Sequence, residues 1–199
     1  MKNIKLLGAA LLLAFGISTT AQAAENYDFD IKGQHAFIQF KVKHLGFSWI
    51  YGEFRSFNGS FSYDEQHPES NSVKVSIAAD SIDTNHAERN KHLRSPDFFD
   101  VKTHPTITYV STSYEDLGNN RGILHGKLTL RGVTKAVDLV VSQIGTGDDP
   151  WGGYRRGFEG HTSLHLSDYG MPFAPKLGPV SETVELNISV EGIKEKNHE

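Results

Sequence analysis

The 199-residue chain has no cysteine. That excludes disulfides, thiolate metal sites and a cysteine nucleophile. Long apolar runs are nearly missing. The single one, residues 6–17, is short for a membrane span. Lys2 and Lys5 precede it and the small-x-small triplet Ala21-Gln22-Ala23 follows, so residues 1–23 read as a cleaved secretion leader. A leader of this style predicts the periplasm of a Gram-negative cell. Residues 24–199 are then one domain, large enough to be held by its own core. Basic charge is also scarce. Without the leader, 18 Lys and Arg face 24 Asp and Glu, a net charge of −6, and such a field does not draw nucleic acid.

Signals for catalysis are lacking too. There is no GxSxG elbow and no glycine-rich phosphate loop. Asp83, Asp97, Asp100 and Asp168 stand among Ser, Thr and Pro, the setting of caps and turns. No catalytic residue and no catalytic cofactor are expected. Ten histidines invite a metal reading, but their spacing does not support it. His86 and His92 are six apart and fall on different faces of a helix. His161 and His165 oppose the apolar parity of their strand. No HExxH set occurs, so no metal ligand is assigned.

What the chain has is alternation. In residues 35–46, Ala36, Ile38, Phe40, Val42 and His44 share one face, the period of a half-buried strand. Ile50, Gly52 and Phe54 continue on even positions, then Phe57, Gly59 and Phe61 on odd ones. That change of parity predicts a bulge or corner. Residues 73–79, 106–112, 122–131, 136–143, 157–167 and 182–191 read as further strands. Residues 85–93 read as a short surface helix, and Phe98 and Phe99 as a return onto the core. Residues 145–153 read as a loop carrying Trp151. About eight strands and one small helix predict an all-β antiparallel barrel, with a sandwich as the alternative.

The blocks HAFIQFKVKHLGFSWIYGEF, SIDTNHAERNKHLRSPDFFD, HPTITYVSTS and GKLTLRGVTKAVDL resemble the signature blocks of the YceI-like family. GDDPWGG before RRGFEG, and LGPVSETVELNISVEG at the end, look like its enterobacterial-type branch. The resemblance implies a lipocalin-like, extended antiparallel barrel with an apolar tunnel for a long polyisoprenoid, including isoprenoid quinones such as ubiquinone. It implies a binding protein and not an enzyme. The chain departs from the family at Leu166, where many members carry an Arg before a Ser-Asp-Phe-Gly-like block.

Inward parity then nominates the tunnel residues: Ile38, Phe40, Val42, Ile50, Phe54, Phe57 and Phe61 early in the chain, Val75, Ile77 and Tyr109 next, and Leu124, Leu128, Leu139 and Phe158 after them. The same residues suit a solid core, since small barrels can be filled or hollow. Glycines 52, 59, 126 and 160 favour a cavity. For a polar mouth the candidates are His44, which either meets a head group or is satisfied at a strand end, and Arg89, His92 and Arg94. The latter, with Lys91, hold a head group or pair with Glu88, Asp97 and Asp100 on a solvated helix face. Trp151 either dips into a membrane interface or plugs the barrel. An isoprenoid lipid is the expected partner, with transient membrane contact and a homodimer as further possibilities. A protein–protein adaptor with a solid barrel is the rival reading.

Overall fold

A computed structural model describes residues 24–196. The leader read at residues 1–23 lies outside the described residues. The strands are β1 (Glu25–Phe29), β2 (Ala36–His44), β3 (Ser48–Phe54), β4 (Phe57–Tyr63), β5 (Ser72–Ala78), β6 (Ile82–Asp83), β7 (Thr106–Gly118), β8 (Arg121–Leu130), β9 (Val133–Asp148), β10 (Tyr154–His165) and β11 (Thr183–Lys194). Two helices join them, α1 (Ala87–Arg94) and the single-turn α2 (Pro179–Glu182).

All eleven strands form one antiparallel sheet in the order β1-β4-β5-β7-β8-β9-β10-β11-β2-β3-β6, and a β1–β11 pairing closes the first eight into a barrel. Strand β11 explains the shape. Its residues 184–190 pair with β2 and its residues 192–194 with β1, so β1 and β2 lie end to end along one neighbour. The pairs β4–β1 and β3–β2 repeat the pattern on the next strand, with the break at Arg55-Ser56. This break is the corner foreseen from the change of parity. Above it the ladder stays open: β6 pairs with β3 and not with β7. Leu93 of α1, and Phe98 and Phe99 after it, pack there against the core.

Tight turns join the long strands. Asn119-Asn120 and Arg131-Gly132 both take left-handed backbone, with φ of 53° and 60°, and 51° and 74°. Two consecutive positive φ values match the twist of a two-residue hairpin. The hairpin of β2 and β3 has a three-residue loop, Leu45 to Phe47, and also places two consecutive positive φ values there, at Leu45 and Gly46.

The structure departs from the sequence reading in several places. Strand β1 was not expected, because five residues with one clear alternation are below the length at which periodicity speaks. The loop expected over residues 145–153 shrinks to a turn, since β9 runs on to Asp148 by pairing with β10. Three of the four glycines leave room for a ring and not for a cavity. A Cβ on Gly52, Gly59 or Gly126 would lie closer than 3.0 Å to the ring of Phe40, Phe29 or Tyr109 respectively. These glycines make room for aromatic rings. Gly160 alone of the four borders a cavity.

The interior divides into two buried clusters. The larger lies under β2, β3, β8 and the segment 166–177, and includes Ile38, Phe54, Ile82, Leu128, Leu164 and Met171. The smaller is aromatic and lies under β1 and β4. Tyr27 stacks on Phe61 at 4.7 Å between centroids, and Phe158 meets Phe61 edge-on at 5.3 Å.

Candidate functional site

The larger cluster surrounds a cavity of about 350 Å³, and almost all of its wall is apolar side chain. Strand alternation places Ile38, Phe40 and Val42 of β2 against Ile50 and Phe54 of β3, because Phe40 faces Gly52, Val42 faces Ile50 and Ile38 faces Phe54 across the ladder. Ile77 and Leu128 complete the strand-borne part that the sequence nominated. Four further nominees, Phe61, Val75, Leu124 and Phe158, line a second, smaller apolar cavity of about 110 Å³ under β1 and β4. The other three nominees, Phe57, Tyr109 and Leu139, line neither. Tyr109 and Leu139 are buried, and Phe57 packs against both clusters, so they belong to the packed core.

Several wall residues were not among the tunnel residues nominated from the sequence. Phe98, Met171 and Phe173 come from irregular segments with no period to reveal their direction. Leu164, Val184 and Leu186 do have strand parity, and following it along β10 and β11 would have found them. Leu166 also lines the large cavity. The position where many family members carry Arg therefore adds apolar surface here.

The polar groups cluster at one end, where β2 and β3 turn over and α1 begins. His44, Lys43, Thr84, Arg89, His92 and Ser181 border the cavity there. Most are engaged. Arg89 donates from Nε to Thr84 Oγ1 at 2.8 Å and from Nη2 to the Thr84 carbonyl at 2.7 Å. Thr84 in turn donates its hydroxyl to Asn90 Oδ1 at 2.6 Å. His92 pairs with Asp97 at 2.8 Å and sits edge-on to Phe98 and Phe173. Ser181 Oγ accepts the Leu45 N–H. Among the described residues, His44 and Lys43 carry no side-chain hydrogen bond or ion pair; Lys43 holds its Nζ 5.4 Å from the Trp49 ring centroid, and His44 is the less engaged of the two.

Arg94 stands apart from the sequence expectation. It does not border the cavity; its guanidinium donates to the Asp80 and Ile82 carbonyls at 2.6 and 2.8 Å, tying α1 to β6. Around the mouth the hairpin tip is bare: Phe47 is 87% exposed and Leu45 60%. Trp151 is also exposed, but it sits on the β9–β10 turn near Arg155 at the other end of the barrel and lines neither apolar cavity.

One group of potential metal ligands, Asp30, His35 and Glu191, has donor atoms within 4.8 Å of one another. Arg155 is inserted among them. Its Nη1 bonds to Asp30 Oδ2 at 2.6 Å and also to Glu191 Oε1, while Nε reaches Asp149 at 2.7 Å. Burial alone would raise the Asp30 carboxyl. Hydrogen bonds from Arg155, His35 and the Gly33 N–H instead hold it down at about 2. The guanidinium supplies the positive charge that these carboxylates need, so the cluster serves as an ionic closure of the barrel end.

Comparison with known proteins follows this geometry. The YceI-like domain profile matches residues 29–192. A UPF0312 protein of Pseudomonas aeruginosa strain LESB58 is 53% identical over 188 residues, which is 94% of this chain and 97% of that protein. The crystal structure of the Campylobacter jejuni YceI protein superposes with a TM-score of 0.69 at 27% identity, over 78% of this chain and 91% of that one. A polyisoprenoid binding domain from Saccharophagus degradans shares the fold, with a TM-score of 0.61 at 17% identity over 85% and 98% of the two chains. The profile spans the barrel from β1 to β11, and this chain belongs to the YceI-like family.

Proposed function

We propose that the protein is a periplasmic carrier that holds a long isoprenoid, of the ubiquinone type, with its tail in the large apolar cavity. The observation that carries this reading is the cavity itself: about 350 Å³ enclosed by leucine, isoleucine and phenylalanine, with its polar groups gathered at one mouth. A prenyl tail has no hydrogen-bonding atoms and needs only shaped apolar contact. The Saccharophagus degradans neighbour, described as a polyisoprenoid binding domain, supports the same ligand class. In this reading His44 and Lys43 meet the head group, whether a quinone carbonyl or an anionic group.

A tail of this kind already sits in an apolar solvent, the bilayer. Transfer through water would expose it, at a cost of roughly 0.8 kcal/mol per methylene-sized group. Loading at a membrane surface avoids that cost. The exposed Phe47 and Leu45 beside the mouth have the position and chemistry to enter the interface. The β2–β3 hairpin therefore replaces Trp151 as the membrane-contacting element in this proposal.

The direct test is native mass spectrometry of protein purified from its own periplasm, followed by organic extraction of the bound lipid. A stoichiometric isoprenoid is expected. A bare mass, together with failure to bind an added prenyl quinone, sinks the proposal.

A further inference from the structure

The β2–β3 hairpin has two faces. Val42, His44 and Ile50 border the large cavity. Strand alternation gives the opposite face to Lys41 and Lys43 on β2 and to Trp49 and Tyr51 on β3. Lys41 stands opposite Tyr51, and Lys43 opposite Trp49, across the ladder. Both aromatic side chains are exposed. The lysine Nζ atoms lie over the Trp49 ring, 4.5 Å from its centroid for Lys41 and 5.4 Å for Lys43. Lys43 also reaches the rim of the cavity.

This part of the hairpin stands clear of the sheet. Strand β11 pairs with β2 only as far as Val42, and β6 meets β3 only at Glu53 and Phe54. Among the described residues, 43–52 pair with no strand outside the hairpin. Charge sets the segment apart as well. Residues 31–52 hold three lysines and two histidines and no Asp or Glu, in a protein whose net charge without its leader is −6. Glu185 pairs with Lys41 at 3.0 Å and Glu53 with Arg55 at 3.3 Å. Lys43 has no carboxylate partner among the described residues.

Rings beside lysines are the chemistry of a membrane interface. Tryptophan and tyrosine settle at head-group level, and lysines meet anionic lipid. The bare Leu45 and Phe47 at the tip add apolar side chains that a bilayer takes up and a hydrated acidic surface does not. We infer that the outer face of the β2–β3 hairpin docks the protein on a bilayer rich in anionic phospholipid. This rests on the carrier reading and names its membrane partner. Docking on one face of these two strands brings the mouth, built by the other face, to the bilayer surface.

Trp49 and Trp151 are the two tryptophans of the chain, and they report on opposite ends of the barrel. Trp151→Phe keeps only Trp49, and Trp49→Phe keeps only Trp151. Each variant is mixed with vesicles free of prenyl lipid, of phosphatidylglycerol or of phosphatidylcholine, carrying a brominated chain as quencher. Co-sedimentation shows how much protein is on the vesicles. Trp49 should be quenched on phosphatidylglycerol and Trp151 should not. Lys43→Glu, an exposed substitution, should weaken partitioning onto phosphatidylglycerol about tenfold, since each lysine near an anionic surface is worth about 1 kcal/mol. Quenching of Trp151 instead, equal partitioning onto the two lipids, or unchanged partitioning of Lys43→Glu overturns the inference. Failure to dock by protein that still carries its isoprenoid refutes the docking face and leaves the carrier reading intact. Docking by protein that binds no isoprenoid removes the carrier reading and leaves the docking face.

Discussion

The two ends of this barrel share the long strands and are packed to different degrees, with a cavity of about 110 Å³ under β1 and β4 and one of about 350 Å³ under β2 and β3. Under β1 and β4 aromatic rings stack against each other, and an Arg155 network with Asp30, Asp149 and Glu191 closes the end. Under β2 and β3 the residues are just as apolar, yet they enclose space. The difference lies in how the ladder closes. At the β1 end the sheet pairs with itself and side chains meet across a complete ring. At the β2 end the strands splay, and a helix with irregular segments covers the gap. A lid of this kind covers a chamber without filling it.

The comparison predicts unequal responses to truncation. Phe61→Ala removes the ring between Tyr27 and Phe158 and should cost about 3–5 kcal/mol in denaturant unfolding. Leu128→Ala, in the wall of the large cavity, should cost clearly less, because that wall already lacks neighbours on one side. Equal losses would break the distinction between the more tightly packed end and the more open one. Next in size is Arg155→Ala. It strands the Asp30 carboxylate, whose side chain is 4% exposed, and should destabilise by about 3 kcal/mol.

Acid should act at the same closed end. The Asp30 carboxyl sits at about 2 in the fold against 3.8 ordinarily. Its stabilisation, about 2 kcal/mol, is complete above the ordinary value and is lost as pH falls through about 2. Wild type should therefore show a loss in that window that Arg155→Ala lacks; parallel acid profiles would remove Asp30 from the closure.

At the more open end the effects should fall on binding. Ile50 is a half-buried wall residue near the mouth, and Ile50→Asp should cost only about 1 kcal/mol in stability while abolishing lipid co-purification, since it puts a charge in the channel. A folded variant that still carries lipid would show that the tail does not pass Ile50. The smallest change in stability is expected for Phe47→Ser, within about 0.5 kcal/mol, because the side chain is almost fully exposed. Its effect should be kinetic, a slower uptake of quinone from vesicles with unchanged affinity. Unaltered uptake would detach the hairpin tip from loading.

Much of this molecule is local and therefore legible. Alternation in residues 36–44 set which side chains face inward, the parity change near Arg55 set the corner, and the family blocks pointed to the barrel. Inward parity alone, however, treats Phe40, which borders the large cavity, and Leu139, which borders none, alike. Whether an inward residue fills space or borders it depends on partners that come from distant strands. Phe98, Met171 and Phe173 reach the wall from segments without a period, Arg94 turns to backbone carbonyls instead of the mouth, and Gly126 serves the ring of Tyr109 on another strand. The sequence by itself determined most of the strands, their faces and the family. Only the tertiary structure decided where the barrel is tightly packed and where it opens into the large cavity, because packing density is a property of side chains brought together by closure of the sheet.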